Sequence, residues 1–210
     1  MTTLLSTTYF GPVQWYQKVY RSERVLIEQY ESFQKQTFRN RCVIATANGP
    51  QALTVPVERA SSAILKDVRI SDHGNWRHLH WHALMSAYGD SPFFEYYEDD
   101  IRPFFERRWQ YLIDFNEDIL SVVCSLLDIT PDVSRTTEYV RQEESLCTGC
   151  MKAGNSIDCR NAIQPKHPLP DSSFLPTPYY QVYADRHGFL PNLSVLDLLF
   201  NMGPEAIFFL

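Results

Sequence analysis

Long apolar runs are missing from the 210-residue sequence, since no stretch approaches the roughly 18 uncharged apolar residues of a membrane-spanning helix. The first residues also lack the basic segment, long apolar segment and small-residue cleavage site of a secretory signal. The five cysteines are an odd number, which fits free thiols in a reducing compartment better than a disulfide framework. We therefore expect a cytoplasmic protein without a membrane span.

Two motifs of common enzyme classes are also absent: there is no glycine-rich phosphate loop and no G-x-S-x-G nucleophile turn. Positive charge is scarce, because 19 Lys and Arg stand against 25 Asp and Glu, for a net charge of −6. A nucleic-acid-binding domain is usually basic, so we expect no nucleic-acid partner. A local basic pocket for a phosphate is still compatible with this balance.

The overall amino-acid composition is that of a folded domain. Hydrophobic residues make up 44% of the chain and charged residues 21%, and the length suffices for a substantial core. We expect a single domain over residues 1–210. The 13 Phe, 12 Tyr and four Trp offer flat surfaces on which sugars or bases can stack, although protein cores use the same residues.

The N-terminal third predicts a strand–helix–strand unit. Thr3–Thr8 is short and β-prone, Pro12–Arg21 carries apolar residues at helical spacing, and Arg24–Gln29 has the apolar run of a buried strand. Such a unit is usually parallel and right-handed. Ligands bind beyond the carboxyl ends of parallel strands, so the unit directs attention to Thr8–Gly11 and Glu28–Tyr30.

A hairpin and a further strand are expected next. Arg41–Thr46 and Ala52–Val57 flank the dipeptide Asn48-Gly49, a strong hairpin signal. Ala63–Ser71 alternates apolar and polar residues and predicts another strand. Together with the parallel unit, these segments predict a mixed sheet.

The rest of the chain is mainly helical in pattern. Asn75–Tyr88 and Phe104–Asp128 have helical periodicity, and a C-terminal helix has Ser194 as its cap and Gly203 as its stop. Residues 131–178 form an irregular insertion rich in Cys and Pro. The predicted fold is therefore α+β, with helices in the middle third and the C-terminal helix packed on the mixed sheet.

The segment Glu28–Cys42 combines polar, aromatic and basic residues between two apolar runs. Its guanidinium and ammonium groups could hold a phosphate or carboxylate, and its amides could read sugar hydroxyls. The alternative is two solvated strand ends whose polar residues face water. The candidate ligand-binding residues of this segment are Gln34, Lys35, Arg39, Asn40 and Arg41.

His80 lies on an inner stripe of the predicted helix with Trp76, Leu84 and Tyr88. An inward histidine is most often a hydrogen-bonded core residue, but a partly buried imidazole beside a polar pocket also suits a general base. We expect His80 to be buried and bonded to the Glu28–Arg41 segment or to Asp197. Asp197 stands among leucines and needs a partner if it is buried, for which an Arg or His is expected.

Metal-binding patterns are weak. On a helix only His78 and His82 share a face, and a two-histidine pair alone is poor support for zinc. Cys147-x-x-Cys150, followed by Cys159 and His167, has zinc-ligand types without the paired spacing of strong zinc motifs. We expect no metal and no cofactor.

Several segments together resemble the WbqC-like protein family. They are YFGPVQWYQK from Tyr9, FQKQTFRNRC from Phe33, LTVPV at 53–57, the spacing W-x3-H-x7-Y at 76–88, and NLSVLDLLFNMG at 192–203. The resemblance extends over the chain except for about 131–178. Other members often carry a His or Gln and a Pro just before the first Tyr, where this chain has Ser6-Thr7-Thr8.

The resemblance implies a role in bacterial O-antigen or surface-polysaccharide biosynthesis, where attachment of an amino acid to an amino sugar has been proposed for members. We therefore expect a cytoplasmic transferase acting on a nucleotide-linked amino sugar, with catalytic residues His80 and Asp197. Ligand contacts are also expected from Tyr9, Gln14, Trp76 and Tyr88. The alternative is a non-catalytic module that binds a nucleotide sugar or a protein of a glycan pathway. An enzyme of this design needs His80 within reach of the Gln34–Arg41 groups.

Overall fold

The computed structural model describes residues 1–58, 63–141, 151–153 and 156–210. The strands in chain order are β1 Thr2–Ser6, β2 Arg24–Glu28, β3 Arg41–Thr46, β4 Gly49–Thr54, β5 Val133–Arg135, β6 Met151–Ala153 and β7 Ser156–Asp158. The α-helices are α1 Val13–Arg21, α2 Trp76–Tyr88, α3 Phe94–Ile101, α4 Pro103–Glu106, α5 Leu112–Leu126, α6 Ala184–His187 and α7 Val195–Met202. Short 3-10 helices span Leu65–Asp67 and Gly203–Phe209.

The main sheet has the strand order β5-β2-β1-β7-β6. β1 is parallel to β2 and to β7, β2 is parallel to β5, and β6 runs antiparallel to β7. The predicted β1–α1–β2 unit is confirmed, with Thr2 opposite Arg24 and Ser6 opposite Glu28. The fold is α+β with a mixed sheet, as predicted. Because four strands run in the same direction, their carboxyl ends meet at one edge of the sheet.

Two details of the predicted sheet are different in the structure. The hairpin β3–β4 forms at the predicted turn, but it is a separate two-stranded sheet. The strand predicted at Ala63–Ser71 is wrong, because this segment contains a 3-10 helix and isolated bridges only. Its backbone is held by non-local pairing, since Leu65 N–H donates to the Glu31 carbonyl and Ile70 N–H to the Gln110 carbonyl. Buried and exposed side chains therefore alternate in this segment although it is not part of a β-ladder.

Three of the five strands of the main sheet, β5, β6 and β7, lie in the segment predicted to be irregular. β5 and β7 lie within residues 131–178 and have three residues each. Such short strands carry no periodic pattern of their own, and they exist because β2 and β1 supply the pairing edges. Cys147 and Cys150 lie outside the described residues.

The helices predicted at Asn75–Tyr88 and at the C-terminus are confirmed, but the helical pattern predicted over Phe104–Asp128 is divided between α4 and α5, because residues 107–111 are not helical. α2 buries the predicted stripe of Trp76, His80, Leu84 and Tyr88. In α7 the Ser194 hydroxyl accepts the Leu196 N–H as the predicted cap, and the helix ends at Gly203, whose φ is +55°. No α-helix in the described part of the chain is both long and apolar enough to cross a membrane.

One cluster of buried apolar side chains extends from Leu5 to Leu210 and includes residues of β1, α1, α2, α5 and α7. The hairpin packs against both α2 and α7. Helix α4 contacts both α2 and α3, and Trp81 of α2 stacks on Phe94 of α3, so these three helices form a second surface. These two places, the carboxyl edge and the α2–α4 surface, are where functional groups collect.

Candidate functional site

The carboxyl edge of the parallel strands holds a buried carboxylate. Glu28, the last residue of β2, has no solvent exposure. Its Oε1 accepts hydrogen bonds from the Tyr30 N–H at 2.8 Å and the Thr136 hydroxyl at 2.9 Å. Its Oε2 accepts the Val140 N–H at 2.8 Å and lies 3.5 Å from Nη1 of Arg160. Glu28 therefore organises the loops that follow β2 and β5.

Two buried arginines share this edge, and both are paired with carboxylates. Arg39 donates Nε to Glu31 Oε1 at 2.8 Å and Nη2 to Glu31 Oε2 at 2.5 Å, with a further bond to the Ser6 hydroxyl at 2.9 Å. Arg160 donates Nη2 to Asp158 at 2.7 Å and to the Val140 carbonyl at 2.9 Å. The three carboxylates of Glu28, Glu31 and Asp158 outnumber the two guanidinium groups, so the cluster offers no excess positive charge to an anion.

The cavity at this edge is very small. It lies between the ends of β1 and β7, it measures about 10 Å³, and its lining includes Ser6, Thr7, Thr8, Arg39 and Arg160. A space of this size holds roughly one water molecule. The Thr8 hydroxyl is buried without a hydrogen-bond partner in the described part of the chain. The expected ligand position beyond β1 is thus closed in this structure.

His80 is buried, as predicted, with 6% of its surface exposed. Its predicted partners are wrong, because Nδ1 lies 2.9 Å from the Tyr9 hydroxyl and the ring also bonds the Thr54 backbone. Burial lowers the pKa of His80 to about 4, with a small opposing effect of Thr54. Burial also raises the pKa of Tyr9, so a neutral phenol is hydrogen-bonded to a neutral imidazole.

His80 meets Tyr9 because the loop that follows β1 packs against α2. Tyr9 lies under α2, with its ring 5.8 Å from the His80 ring and 5.7 Å from that of Phe115. In the Glu28–Arg41 segment, Glu28, Glu31 and Arg39 instead direct their polar groups to the carboxyl edge. His80 is therefore enclosed by neutral groups and aromatic rings.

Asp197 is fully buried, and the expected Arg or His partner is wrong. Its Oδ1 accepts the Tyr88 hydroxyl at 2.8 Å, and its Oδ2 accepts the Tyr179 hydroxyl at 2.7 Å and the Gln181 amide at 2.8 Å. Burial raises the pKa of Asp197, and the three neutral donors oppose that rise. Because Tyr88 also accepts the Ala45 N–H at 3.0 Å, this network joins α7 to α2 and to the hairpin.

The predicted anion-binding cations lie in three different environments. Lys35 and its neighbour Gln34 are exposed to solvent, whereas Arg39 is buried in its pair with Glu31. Arg41 is half-buried on β3, where Nε donates to the Thr54 hydroxyl at 3.0 Å. Asn40 is buried and donates its amide to the Val55 carbonyl at 2.8 Å.

Gln14 lies on α1 and takes part in the anchoring of a later segment. Its amide donates to Asp171 at 2.9 Å, and its carbonyl accepts the Asn192 amide at 3.0 Å. Lys18, one turn along the same helix, forms a 2.6 Å ion pair with Asp171. Burial acts to raise the pKa of Asp171, but the contacts with Lys18, Gln14 and Ser173 outweigh it and lower that pKa to about 2.

An open groove of about 630 Å³ lies between α2, α3, α4 and the loop before α2. Its lining residues include Asp72, Trp76, Arg77, His78, Trp81, His82, Glu98, Arg102, Glu106 and Arg108. We refer to it as the α2 groove. The His78 and His82 rings are 4.0 Å apart there. Among the described residues, no group of three or more His, Cys, Asp or Glu is placed to hold a metal ion.

Charged pairs line the α2 groove. The Arg77 guanidinium carbon lies 4.6 Å from the centre of the Trp76 ring, and its Nη1 donates to Asp72 Oδ1 at 2.7 Å. The other oxygen of Asp72 is 3.5 Å from Nη1 of Arg108. The hydrogen bond from Arg77 is the main effect that lowers the pKa of Asp72. On the facing helix, Arg102 pairs with Glu106 at 2.7 Å.

Of the predicted ligand residues, Trp76 lines the α2 groove, and sequence reasoning missed most of its other members. One available signal was the spacing of Glu98, Arg102 and Glu106, which places three charges on one helical face. Another was the presence of Trp81 beside His78 and His82 on the same predicted helix. The two histidines were interpreted as part of a solvated polar face. The approach of α4 to α2 is a tertiary contact that no local pattern contains.

Comparison with known proteins gives one family and an uncharacterised relative. The model of the WbqC-like protein family matches residues 7–208. The uncharacterized protein Rv1507c of Mycobacterium tuberculosis is 29% identical over 190 residues, which cover 83% of this chain and 81% of that protein. No solved structure matches. The family match includes the carboxyl edge, the α2 groove and the Asp197 network.

Proposed function

Because the chain belongs to the WbqC-like protein family, we propose that it binds a nucleotide-linked sugar, or a similar anionic precursor, in cytoplasmic steps of surface-polysaccharide biosynthesis. The α2 groove is the observation that supports this proposal. Its volume of about 630 Å³ lies within the roughly 300–1,000 Å³ of small-molecule sites. The carboxyl edge, by comparison, has room for about one water.

The groove has groups for each part of such a ligand. Guanidinium groups of Arg102 and Arg108 are exposed and can bind phosphate oxygens, for which arginine has the matching planar geometry. The carboxylates of Glu98 and Glu106 can accept hydrogen bonds from sugar hydroxyls. The half-buried indole of Trp81 adds an apolar surface at the groove wall.

Between the two functions expected from the sequence, the binding module has better support than the transferase. A transferase of the expected design needs His80 as a base, with access to its substrate. His80 is 6% exposed, bonds Tyr9 and Thr54, and has a pKa of about 4, which makes its neutral ring a weak base near neutral pH. Asp197 is likewise enclosed by its own donors.

Calorimetry with UDP-, GDP- and dTDP-linked sugars tests the proposal. We expect one class to bind, and Arg102→Ala to weaken that binding about tenfold, the factor that corresponds to roughly 1.4 kcal/mol. The matched control is Arg107→Ala, because Arg107 is also exposed but lies outside the groove lining. Absence of binding by every class, or equal binding by Arg102→Ala and wild type, contradicts the proposal.

A further inference from the structure

Arg77 is the most constrained cation of the α2 groove. Its side chain is 14% exposed, and its guanidinium is stacked on the Trp76 ring at 4.6 Å. Only Nη1 has a hydrogen-bond partner among the described residues, namely Asp72, whereas Nε and Nη2 are buried and unpaired there. An arginine held in place with unused donors is suited to bind a group with several oxygens.

Asp72 is the loosely held member of the same cluster. Its side chain is 49% exposed, and its two oxygens face Arg77 at 2.7 Å and Arg108 at 3.5 Å. The loop that carries it is anchored one residue earlier, where the Trp76 indole donates to the Ser71 carbonyl at 3.1 Å. Gly74 follows with φ +71° and open space where a Cβ would stand. The carboxylate can therefore rotate away without disturbing α2.

We propose that Asp72 occupies an anion subsite formed by Arg77 and Arg108, from which a phosphate or carboxylate group of the ligand displaces it. This inference rests on the proposed function, since it names the part of the α2 groove that takes the charged end of the ligand. An exposed aspartate bound to arginines contributes little stability, so a more highly charged ligand group can replace it. The displaced carboxylate then moves into solvent at the groove mouth.

The test compares Asp72→Asn with wild type by calorimetry, using inorganic pyrophosphate and glucuronate as probes. Asp72→Asn removes the competing charge, and we expect pyrophosphate to bind it about fivefold more tightly, a factor near the upper range for exposed ion pairs. A matching gain for glucuronate assigns the subsite to oxyanions in general, and a gain for pyrophosphate alone assigns it to phosphate.

Glu106→Gln is the matched control, because it also removes one negative charge from the groove but leaves Asp72 in place. The gain from Asp72→Asn must exceed that of Glu106→Gln, and it must disappear when Arg108→Ala is added. Equal affinities of Asp72→Asn and wild type for both probes overturn the inference, and so does an equal gain in Glu106→Gln. Melting temperatures of all variants verify that each one is folded.

The inference and the proposed function can fail separately. If nucleotide sugars bind wild type and Arg102→Ala weakens them, while Asp72→Asn gives no gain, the subsite is refuted and the proposed function stands. If Asp72→Asn binds pyrophosphate more tightly than Glu106→Gln, while no nucleotide sugar binds wild type, the subsite stands and the nucleotide-sugar proposal is refuted.

Discussion

The Tyr9 hydroxyl and Nδ1 of His80 form a 2.9 Å hydrogen bond across 71 residues of sequence. This contact joins the loop after β1 to the inner face of α2, and both groups are buried. Because the same imidazole also bonds the Thr54 backbone, His80 connects β1, α2 and the hairpin. Its position is that of a structural residue in the core.

Replacement of His80 by Gln should therefore cost stability. Gln can restore one of the two hydrogen bonds, and we expect the free energy of unfolding to fall by about 1–3 kcal/mol, the usual cost of a buried unsatisfied group. Urea unfolding measures this change. His78→Gln is the control, because His78 is exposed on the same helix. Equal stability of His80→Gln and wild type would show that the Tyr9 contact contributes nothing.

His80 should also make stability depend on pH. Its pKa is lowered from 6.5 to about 4, so between these pH values the unfolded chain binds a proton that the folded protein excludes. The stability due to this histidine is thus present at pH 7 and is lost as the pH falls through that window. We expect the difference between wild type and His80→Gln to be about 2 kcal/mol smaller at pH 5 than at pH 7.

Urea unfolding of both proteins at the two pH values measures this difference. His78→Gln should keep the wild-type pH dependence, since it leaves the buried imidazole unchanged. A constant difference between wild type and His80→Gln from pH 7 to pH 5 is incompatible with an excluded proton at His80.

The sequence predicted those parts of the fold that local chemistry determines. Apolar runs and helical spacing located β1, α1, β2 and α2, and Asn48-Gly49 located the hairpin turn. β5 and β7 were missed because a three-residue strand has no period to detect and depends on its neighbour's edge. The alternation in Ala63–Ser71 indicated a strand wrongly, since burial there follows from contacts with distant loops.

The same distinction applies to the candidate site. The inward stripe of α2 predicted the burial of His80, because side-chain direction on a helix is a local property. The partners of His80 and Asp197 could not be predicted in this way, because Tyr9 and Tyr179 reach them from remote segments. The α2 groove was missed for a similar reason, since Arg102 and Arg77 face one cavity only after α4 packs on α2.

The hydrogen bonds of Asp197 predict a loss of stability for two tyrosine variants, with a larger loss for one of them. Tyr88→Phe and Tyr179→Phe each remove one donor from a buried carboxylate, and we expect each to cost about 1.5–3 kcal/mol in the free energy of unfolding. Tyr88→Phe should cost more, because it also leaves the buried Ala45 N–H without its acceptor. Chemical denaturation measures both variants.

Tyr180→Phe is the matched control for this pair, because Tyr180 adjoins Tyr179 in sequence but is 57% exposed. Its stability should equal that of wild type. A Tyr179→Phe variant as stable as Tyr180→Phe would mean that the hydrogen bond to Asp197 has no net effect on folding.

The ion pair of Arg39 and Glu31 gives the last prediction. Both side chains are more than nine-tenths buried and meet in a bidentate contact. Glu31→Gln leaves the buried Arg39 guanidinium without its direct carboxylate partner, and we expect it to cost about 3–5 kcal/mol. The double variant Glu31→Gln with Arg39→Met should recover most of that loss, because no unpaired charge remains. Arg24→Ala is the control, since Arg24 forms an exposed 3.8 Å pair with Asp132 and an exposed 3.4 Å hydrogen bond to the Ser134 hydroxyl. Denaturant unfolding of the four proteins measures the effect, and a double variant no more stable than Glu31→Gln would mean that the loss comes from packing and not from charge.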